Sequence, residues 1–326
     1  MVIASKMLQE RPDIERYHGV YASMDELVAL QGADLRLDLR GKRKALTAVA
    51  GQHRSSFRGR GIDFDEVRIY QPGDDVRNID WRVTARTGKT HTKLFREERE
   101  RPVYLVVDQR ETMFFGTQKA FKSVVAARTA ALLAWASRAQ GDRVGGFLFN
   151  DTDVQELRPK EGKRGIQTFF RMLLQYNQSL EGQFDGRDSR QSITQALGGL
   201  NQVVRPGSLI FIISDFHNFD DITLQHLSVC SRHSDMIAIQ IQDPMEKQLP
   251  PPGAYGFTDG MRSVRLNTGS RNLRKEYALH YVERQTRLRD QLNGIAVPLI
   301  EIATHDVITE RLRAALGLKA AARQTS

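Results

Sequence analysis

From Pro102 to Leu316 the chain alternates short apolar, β-prone runs with segments of helical periodicity, and no other feature narrows its possible folds as far. Val103-Tyr104-Leu105-Val106-Val107 and Leu209-Ile210-Phe211-Ile212-Ile213 are apolar at every position. Continuous runs of this kind are expected of strands covered on both faces. Arg143 to Phe149, Met236 to Ile241 and Val297 to Ile302 predict three more strands, and Val264 to Leu266 an edge strand or hairpin. Helical segments are predicted over Lys119 to Ala139, Gly165 to Tyr176, Ser192 to Val203 and Ile222 to Arg232. Two more follow, Asn272 to Leu292, which reads as amphipathic, and Val307 to Leu316. Strands separated by helices of about ten or more residues need crossover connections. The pattern therefore predicts βαβ units and a doubly wound, mostly parallel α/β sheet.

Before Pro102 the grammar differs. Ser23-Met24-Asp25-Glu26 is a capping box ahead of Leu27, Val28 and Leu30, and predicts a short helix. Gly51 to Gly61, rich in Gly, Arg and Ser, reads as an exposed loop. Phe64, Val67 and Ile69 mark an extended segment ending in the Pro-Gly turn Gln71-Pro72-Gly73-Asp74, and His91 to Phe95 is a further strand. The expected organisation is a disordered or loosely docked tail over 1–20 and a smaller helix-plus-strand segment over 21–101. The α/β domain then covers 102–318, and a flexible tail 319–326.

Composition removes several function classes. With 40% hydrophobic and 27% charged residues, the 326-residue chain has an ordinary globular balance. The single cysteine, Cys230, excludes a disulfide framework and a Cys-based metal cluster, and reads as a buried helical position. Met1 to Arg16 is charged and has no apolar h-region, and no stretch approaches the roughly 18 apolar residues that span a bilayer. A reducing cytoplasm is the expected location. The net charge is +9, with a local excess at Arg36, Arg40, Lys42, Arg43, Lys44, Arg54, Arg58 and Arg60 against the single acid Asp38. That segment is either a solvated surface or a positive field for an acidic protein face, anionic lipid or phosphates. Phe57 is its only aromatic residue, too few for base stacking, so nucleic acid is not the expected partner.

In a doubly wound sheet, ligands bind beyond the carboxyl ends of the strands, near the point where strand order reverses. Two predicted strands end there in an acid, at Val107-Asp108 and at Ser214-Asp215. Such a pair either attracts a hard cation such as Mg²⁺ or caps the following helix or turn. A second charged cluster gathers Asp74, Asp75, Arg77, Asp80 and Arg86 around Gly73 and Trp81. It reads either as the metal-holding acids of a hydrolase or nucleic-acid-acting protein, or as a salt-bridged, capped loop. The loop reading is preferred, since Arg77 and Arg86 stand close by to neutralise the acids and no His or Lys is placed as a base. No catalytic residue is assigned. Gly59-Arg60-Gly61 does not follow a strand, and His53, His91 and His217 show no ligand spacing.

The run Asp108-Gln109-Arg110-Glu111-Thr112-Met113 resembles the D-x-S-x-S loop of von Willebrand A domains, which bear a metal-ion-dependent adhesion site. Phe149-Asn150-Asp151 and Ser214-Asp215 resemble later parts of that pattern. The longer stretch from Gly59 through Gln71-Pro72-Gly73-Asp74-Asp75-Val76-Arg77-Asn78-Ile79-Asp80-Trp81 to Ala85-Arg86-Thr87-Gly88, Lys93 and Glu97 is similar to the bacterial DUF58 family. The likeness covers about Leu35 to Leu316. It implies a von Willebrand A-type sheet and a protein-binding edge at Asp108, Arg110, Thr112, Ser214 and Asp215. It also implies a MoxR-type AAA+ ATPase and its substrate complex as partners. Cation ligands, if a cation is bound at all, would be Asp108, Thr112, Ser192 and Asp215, with Thr194 the alternative to Ser192. One departure stands out: Arg110 replaces the first serine, and a guanidinium is a donor with nothing to offer a metal. Paired with Asp108 and Asp215 it would take the place of Mg²⁺. The expectation is a degenerate metal site without cofactor, on a non-enzymatic adaptor.

Overall fold

The computed structural model describes residues 19–32, 63–71, 74–96, 101–179, 190–258 and 263–316. Gly73, the basic segment from Arg36 to Arg60, the tail over 319–326 and most of the tail over 1–20 lie outside the described residues. Two compact units form. Residues 63–96 belong to one, and 19–32 together with 102–316 to the other.

The first helix, α1 (Met24–Ala29), starts on the Ser23 hydroxyl, which accepts from Glu26 N at 3.2 Å. The Glu26 carboxylate pairs with Arg128, and Trp135 Nε1 donates to Leu27 O at 2.9 Å. Leu27 is fully buried in the main core cluster. The expected grouping of 21–101 therefore breaks at this helix: its apolar face finds a core about a hundred residues further along the chain. The smaller unit pairs β1 (Asp63–Ile69) with β2 (His91–Arg96), antiparallel, with Ile69 opposite His91. Between them lie a 3₁₀ turn, Val76–Asn78, and a helix that sequence reading missed, α2 (Trp81–Thr87). Gly88 ends α2 at φ 71°, the left-handed position that favours glycine.

The larger unit begins with β3 (Pro102–Asp108), α3 (Lys122–Ala139), β4 (Arg143–Phe149), β5 (Val154–Lys160) and α4 (Gly162–Asn177). It continues with α5 (Arg190–Val203), β6 (Leu209–Ser214), α6 (Asp221–Ser231), β7 (Asp235–Gln242) and α7 (Pro244–Lys247). A hairpin of β8 (Ala254–Thr258) and β9 (Ser263–Asn267) follows, then α8 (Arg271–Gly294), β10 (Leu299–Ala303) and α9 (Ile308–Ala315). The central sheet runs β10-β7-β6-β3-β4-β5, parallel throughout except for the antiparallel β4–β5 pair. The alternation in the sequence thus produces the doubly wound, mostly parallel sheet it predicts.

Alternate residues of one strand feed two cores. Val103, Leu105 and Val107 join the cluster shared with α3 and α4, while Tyr104 and Val106 join the one shared with α5 and α6. This is the period of two expected of a strand sandwiched between helical layers. Helix α3 is more enclosed than its predicted stripe implies: from Lys122 to Ser137, every residue but Arg128 is buried. By contrast, α8 buries only Gln285, Leu288 and Leu292.

Candidate functional site

Strands β3 and β6 are neighbours, and the helices that follow them go to opposite faces: α3 packs in one core cluster and α6 in the other. Their carboxyl ends therefore flank the switch point, where connections diverge and leave a crevice. Asp108 closes β3 and Asp215 follows β6, so the topology brings together two acids that are 107 residues apart in sequence.

The crevice is filled by the protein's own cations. Arg110 Nη2 donates to Asp108 Oδ2 at 2.7 Å, and Arg110 Nε to Asp108 Oδ1 at 3.0 Å. The Arg110 backbone N–H donates to the same Oδ1 at 2.9 Å, and Ser214 Oγ donates to Oδ2 at 2.6 Å. Arg110 Nη2 also reaches His217 O at 3.3 Å and lies 3.8 Å from Asp215 Oδ1, while its guanidinium sits 5.7 Å from the Phe149 ring centre. Asp215 is held mainly by a second cation: Lys122 Nζ donates to its Oδ2 at 2.8 Å and to Glu246 Oε1 at 2.6 Å. Asp108 and Arg110 expose none of their surface and Lys122 almost none.

The electrostatics follow from this enclosure. Burial pulls the Arg110 guanidinium down, but Asp108, with Asp215 and Asp151 behind it, outweighs that pull and holds it above its ordinary value. Lys122 is raised in the same way, burial opposing and Asp215 and Glu246 prevailing. For Asp215, burial acts to raise the carboxyl, yet Lys122 and Arg110 hold it well below the usual carboxylate range. Asp151, on the loop after β4, is pushed up by burial while it accepts Glu111 N at 2.6 Å. Charges taken this far out of water stay ionised only when each one has a partner.

The Mg²⁺ expectation can be tested against these donors. Both oxygens of Asp108 and both of Asp215 already accept from N–H or O–H groups, and two cationic heads occupy the space between them. Thr112 Oγ1 is buried without a hydrogen-bond partner, the one expected ligand left unengaged among the described side chains. The backbone of Ser192 lies in α5 but its side chain is outside the described residues, and Thr194 Oγ1 lies 3.3 Å from Thr223 Oγ1 of α6. Among the described residues, no group of three or more His, Cys, Asp or Glu is arranged to hold a metal ion. Asp108, Thr112 and Asp215 as they stand do not fit a hard cation.

A family model described as a protein of unknown function, DUF58, matches residues 66–287. The chain belongs to the DUF58 family. Relatives include the uncharacterized proteins Mb1516 of Mycobacterium bovis and Rv1480 of Mycobacterium tuberculosis. Each is 28% identical over 269 residues, covering 82% of this chain and 83% of the relative. Among solved structures, this DUF58 chain is similar to BatB from Bacteroides thetaiotaomicron, at 13% identity and a TM-score of 0.41, over 67% of this chain and 97% of that one. An aerotolerance-related membrane protein from Bacteroides fragilis gives the same identity and TM-score over 66% and 96%. Scores this low carry no argument. Among the described residues of this chain, no helix is long and apolar enough to cross a membrane.

The protein-binding edge expected at Asp108, Arg110, Thr112, Ser214 and Asp215 needs correcting in one respect. Asp108, Arg110 and Ser214 are wholly buried and Asp215 nearly so, hence they hold the surface loops and do not themselves present a contact surface. The loop after β6 shows this constraint in its backbone. Phe216 and Asn218 take φ of 54° and 57°, unusual for residues other than glycine, while His217 between them donates its N–H to Asp215 and accepts from Arg110. Lys122 and Glu246 were missed from sequence, and Asp151 was named there only within the Phe149-Asn150-Asp151 resemblance, without a role at the site. Glu246 had a legible signal, since Asp243-Pro244-Met245-Glu246 is a capping box with proline at the first helical position.

The charged loop of the smaller unit resolves into structural roles. Asp74 accepts from Arg68 Nη2 at 2.7 Å and from Gln71 N at 2.9 Å, which hold its carboxyl below the ordinary value, the Gln71 amide foremost. Asp75 caps the 3₁₀ turn through Arg77 N at 3.0 Å. Asp80 caps α2 by accepting from Arg82 N at 3.0 Å and Val83 N at 3.1 Å. The cation beside Asp74 is thus Arg68 and not Arg77 or Arg86, both of which are exposed, as is Trp81.

Proposed function

We propose that this DUF58 chain is a non-enzymatic protein-interaction module of the cytoplasm. It would serve as an adaptor between a MoxR-type AAA+ ATPase and a protein complex under assembly or maturation. The observation that carries the reading is the Arg110 guanidinium seated on Asp108, in the crevice where a metal-ion-dependent adhesion site would place its cation. A fixed internal cation removes the need for a bound one. Thr112, Phe115, His217 and Asn218 then present a surface whose shape does not depend on metal supply.

Two experiments test this reading. In calorimetric titration with Mg²⁺ and Mn²⁺ the parent chain gives no tight binding, whereas Arg110→Ser, which restores the hydroxyl pattern, gains it. Tight binding by the parent that is abolished by Asp108→Ala would defeat the degenerate-site reading. In pull-down with a purified MoxR-type ATPase, with and without nucleotide, the parent is retained and a folded Asp108→Asn variant is weakened. Equal retention of both would remove the switch-point edge from the interface.

A further inference from the structure

Helix α2 of the smaller unit is fixed at both ends and along one side. Asp80 caps its start, Gly88 ends it, and the Thr84 hydroxyl accepts from His91 N at 3.0 Å, which sets the side turned to β2. Thr87 Oγ1 donates back to Val83 O at 2.9 Å. At about 100° per residue, Trp81, Ala85, Arg82 and Arg86 follow one another round an arc of about 140°, with the two arginines opposite Thr84. All four are exposed, whereas Val83 and Thr84 are half-buried.

The arc combines an uncovered ring with unneutralised charge. Trp81 keeps 68% of its surface exposed, against 5% for Trp135, the chain's other tryptophan. Rings of this size are normally covered. Arg82 and Arg86 stand one turn apart, where like charges repel. Among the described residues neither pairs with an acid, in contrast to Arg68 beside Asp74. From Trp81 to His91 the sequence has no Asp or Glu, and the carboxylate of Asp80 is turned to Arg82 N and Val83 N. A carboxylate placed between the two guanidinium groups would relieve their repulsion and match their fork of donors.

We infer that the face of α2 formed by Trp81, Arg82, Ala85 and Arg86 is a docking surface for an acidic segment of a partner protein. Asp or Glu side chains of that segment lie on Arg82 and Arg86, and an apolar side chain covers Trp81. Tryptophan and arginine are the residue types on which interface energy concentrates. Single-stranded nucleic acid fits less well. Successive bases need successive rings, and Trp81 is the one exposed aromatic residue among the described residues of this unit. The inference deepens the interaction reading above and rests on it for one point, that an adaptor needs two surfaces. The switch point belongs to the larger unit and α2 to the smaller, so the two surfaces lie on different compact units.

The test selects phage-displayed random dodecapeptides on the immobilised full chain, after depletion on the Arg82→Glu/Arg86→Glu variant. Enriched peptides should carry at least two acidic residues and one of Phe, Leu, Ile, Met or Trp. A fluorescein-labelled copy of the most enriched peptide should bind Trp81→Ala and Arg82→Glu/Arg86→Glu about tenfold more weakly than the parent, and its affinity should fall as salt rises. Arg82→Lys/Arg86→Lys should lose about threefold, since an ammonium lacks the guanidinium fork. These side chains are exposed, so the variants keep the parent melting temperature. Acrylamide should quench the fluorescence of the parent more than that of Trp81→Phe. Equal quenching would mean that the rest of the chain covers the ring, and would overturn the inference. So would no enrichment, enriched peptides without acidic residues, or affinity unmoved by the variants. Tighter binding of single-stranded oligothymidylate, or self-association lost in Trp81→Ala, would overturn it equally, assigning the face to nucleic acid or to a second copy. No ATPase enters the selection and no variant touches Asp108 or Arg110, so failure here and failure of the pull-down are told apart.

Discussion

Asp74, Asp75 and Asp80 in the smaller unit and Asp108, Asp151 and Asp215 at the switch point are each a trio of aspartates near arginine, the first gathered by sequence and the second only by the fold. In the smaller unit the carboxylates bond mostly to backbone N–H groups at turn and helix starts, on an exposed surface. At the switch point two of the three bond to cationic side chains deep in the protein. Carboxylates used as caps contribute locally and leave water free to screen them. Buried ones are tied to particular cations, and removing either partner strands the other in a medium that solvates it poorly. Charge density in a sequence therefore says little about chemistry until burial is known.

Four substitutions would break or sharpen that contrast. Arg110→Ala leaves Asp108 without its cation and should cost about 3–5 kcal/mol in urea denaturation. A loss under about 1 kcal/mol would mean that water relieves the crevice and that the contrast is overstated. Lys122→Met should cost about 3 kcal/mol, near the lower end of the same range. It should also flatten the acid limb of the stability profile. Because the folded Asp215 carboxyl is held below its unfolded value, its contribution is complete above the ordinary carboxylate range and is lost as pH falls below about 4. A variant that loses stability in acid as steeply as the parent would locate that dependence elsewhere. Asp80→Ala removes the cap of α2 and should cost about 1 kcal/mol, read as earlier thermal loss of helix signal in the full chain. Arg68→Ala, at a half-exposed pair, should shift stability by less than about 1 kcal/mol, and a larger change would make the smaller unit's loop resemble the switch point.

The strands most legible in the sequence are β3 and β6, whose continuous apolar runs reflect burial on both faces. Strand β5 escaped because it is an antiparallel edge strand, Val154-Gln155-Glu156-Leu157-Arg158-Pro159-Lys160, with one buried residue and a proline that edge strands tolerate. Helix α2 was signalled by Asp80 before it and Gly88 after it, but the surrounding charges drew the reading toward a loop. At the site, the pairing of Arg110 with Asp108 was legible because the residues are two apart and the hydroxyl pattern singled the arginine out. Lys122 was not legible. It begins a helix whose next turns are almost wholly apolar, and only the strand order shows that its ammonium lies beside Asp215.

Arg110 and Lys122 follow β3 in the chain, while Asp215 and His217 follow β6, and the bonds between these groups cross the seam where the two windings of the sheet meet. Ser214 to Asp108 crosses it as well. Helix α3 already packs against strands on both sides of that seam, β3 and β4 on one and β6 and β7 on the other. The buried charges join the halves a second time, so neither half is expected to open before the other. Amide hydrogens of β3 and β6 should then exchange only when the whole sheet opens, so that the protein behaves in hydrogen exchange as one cooperative unit across its topological divide.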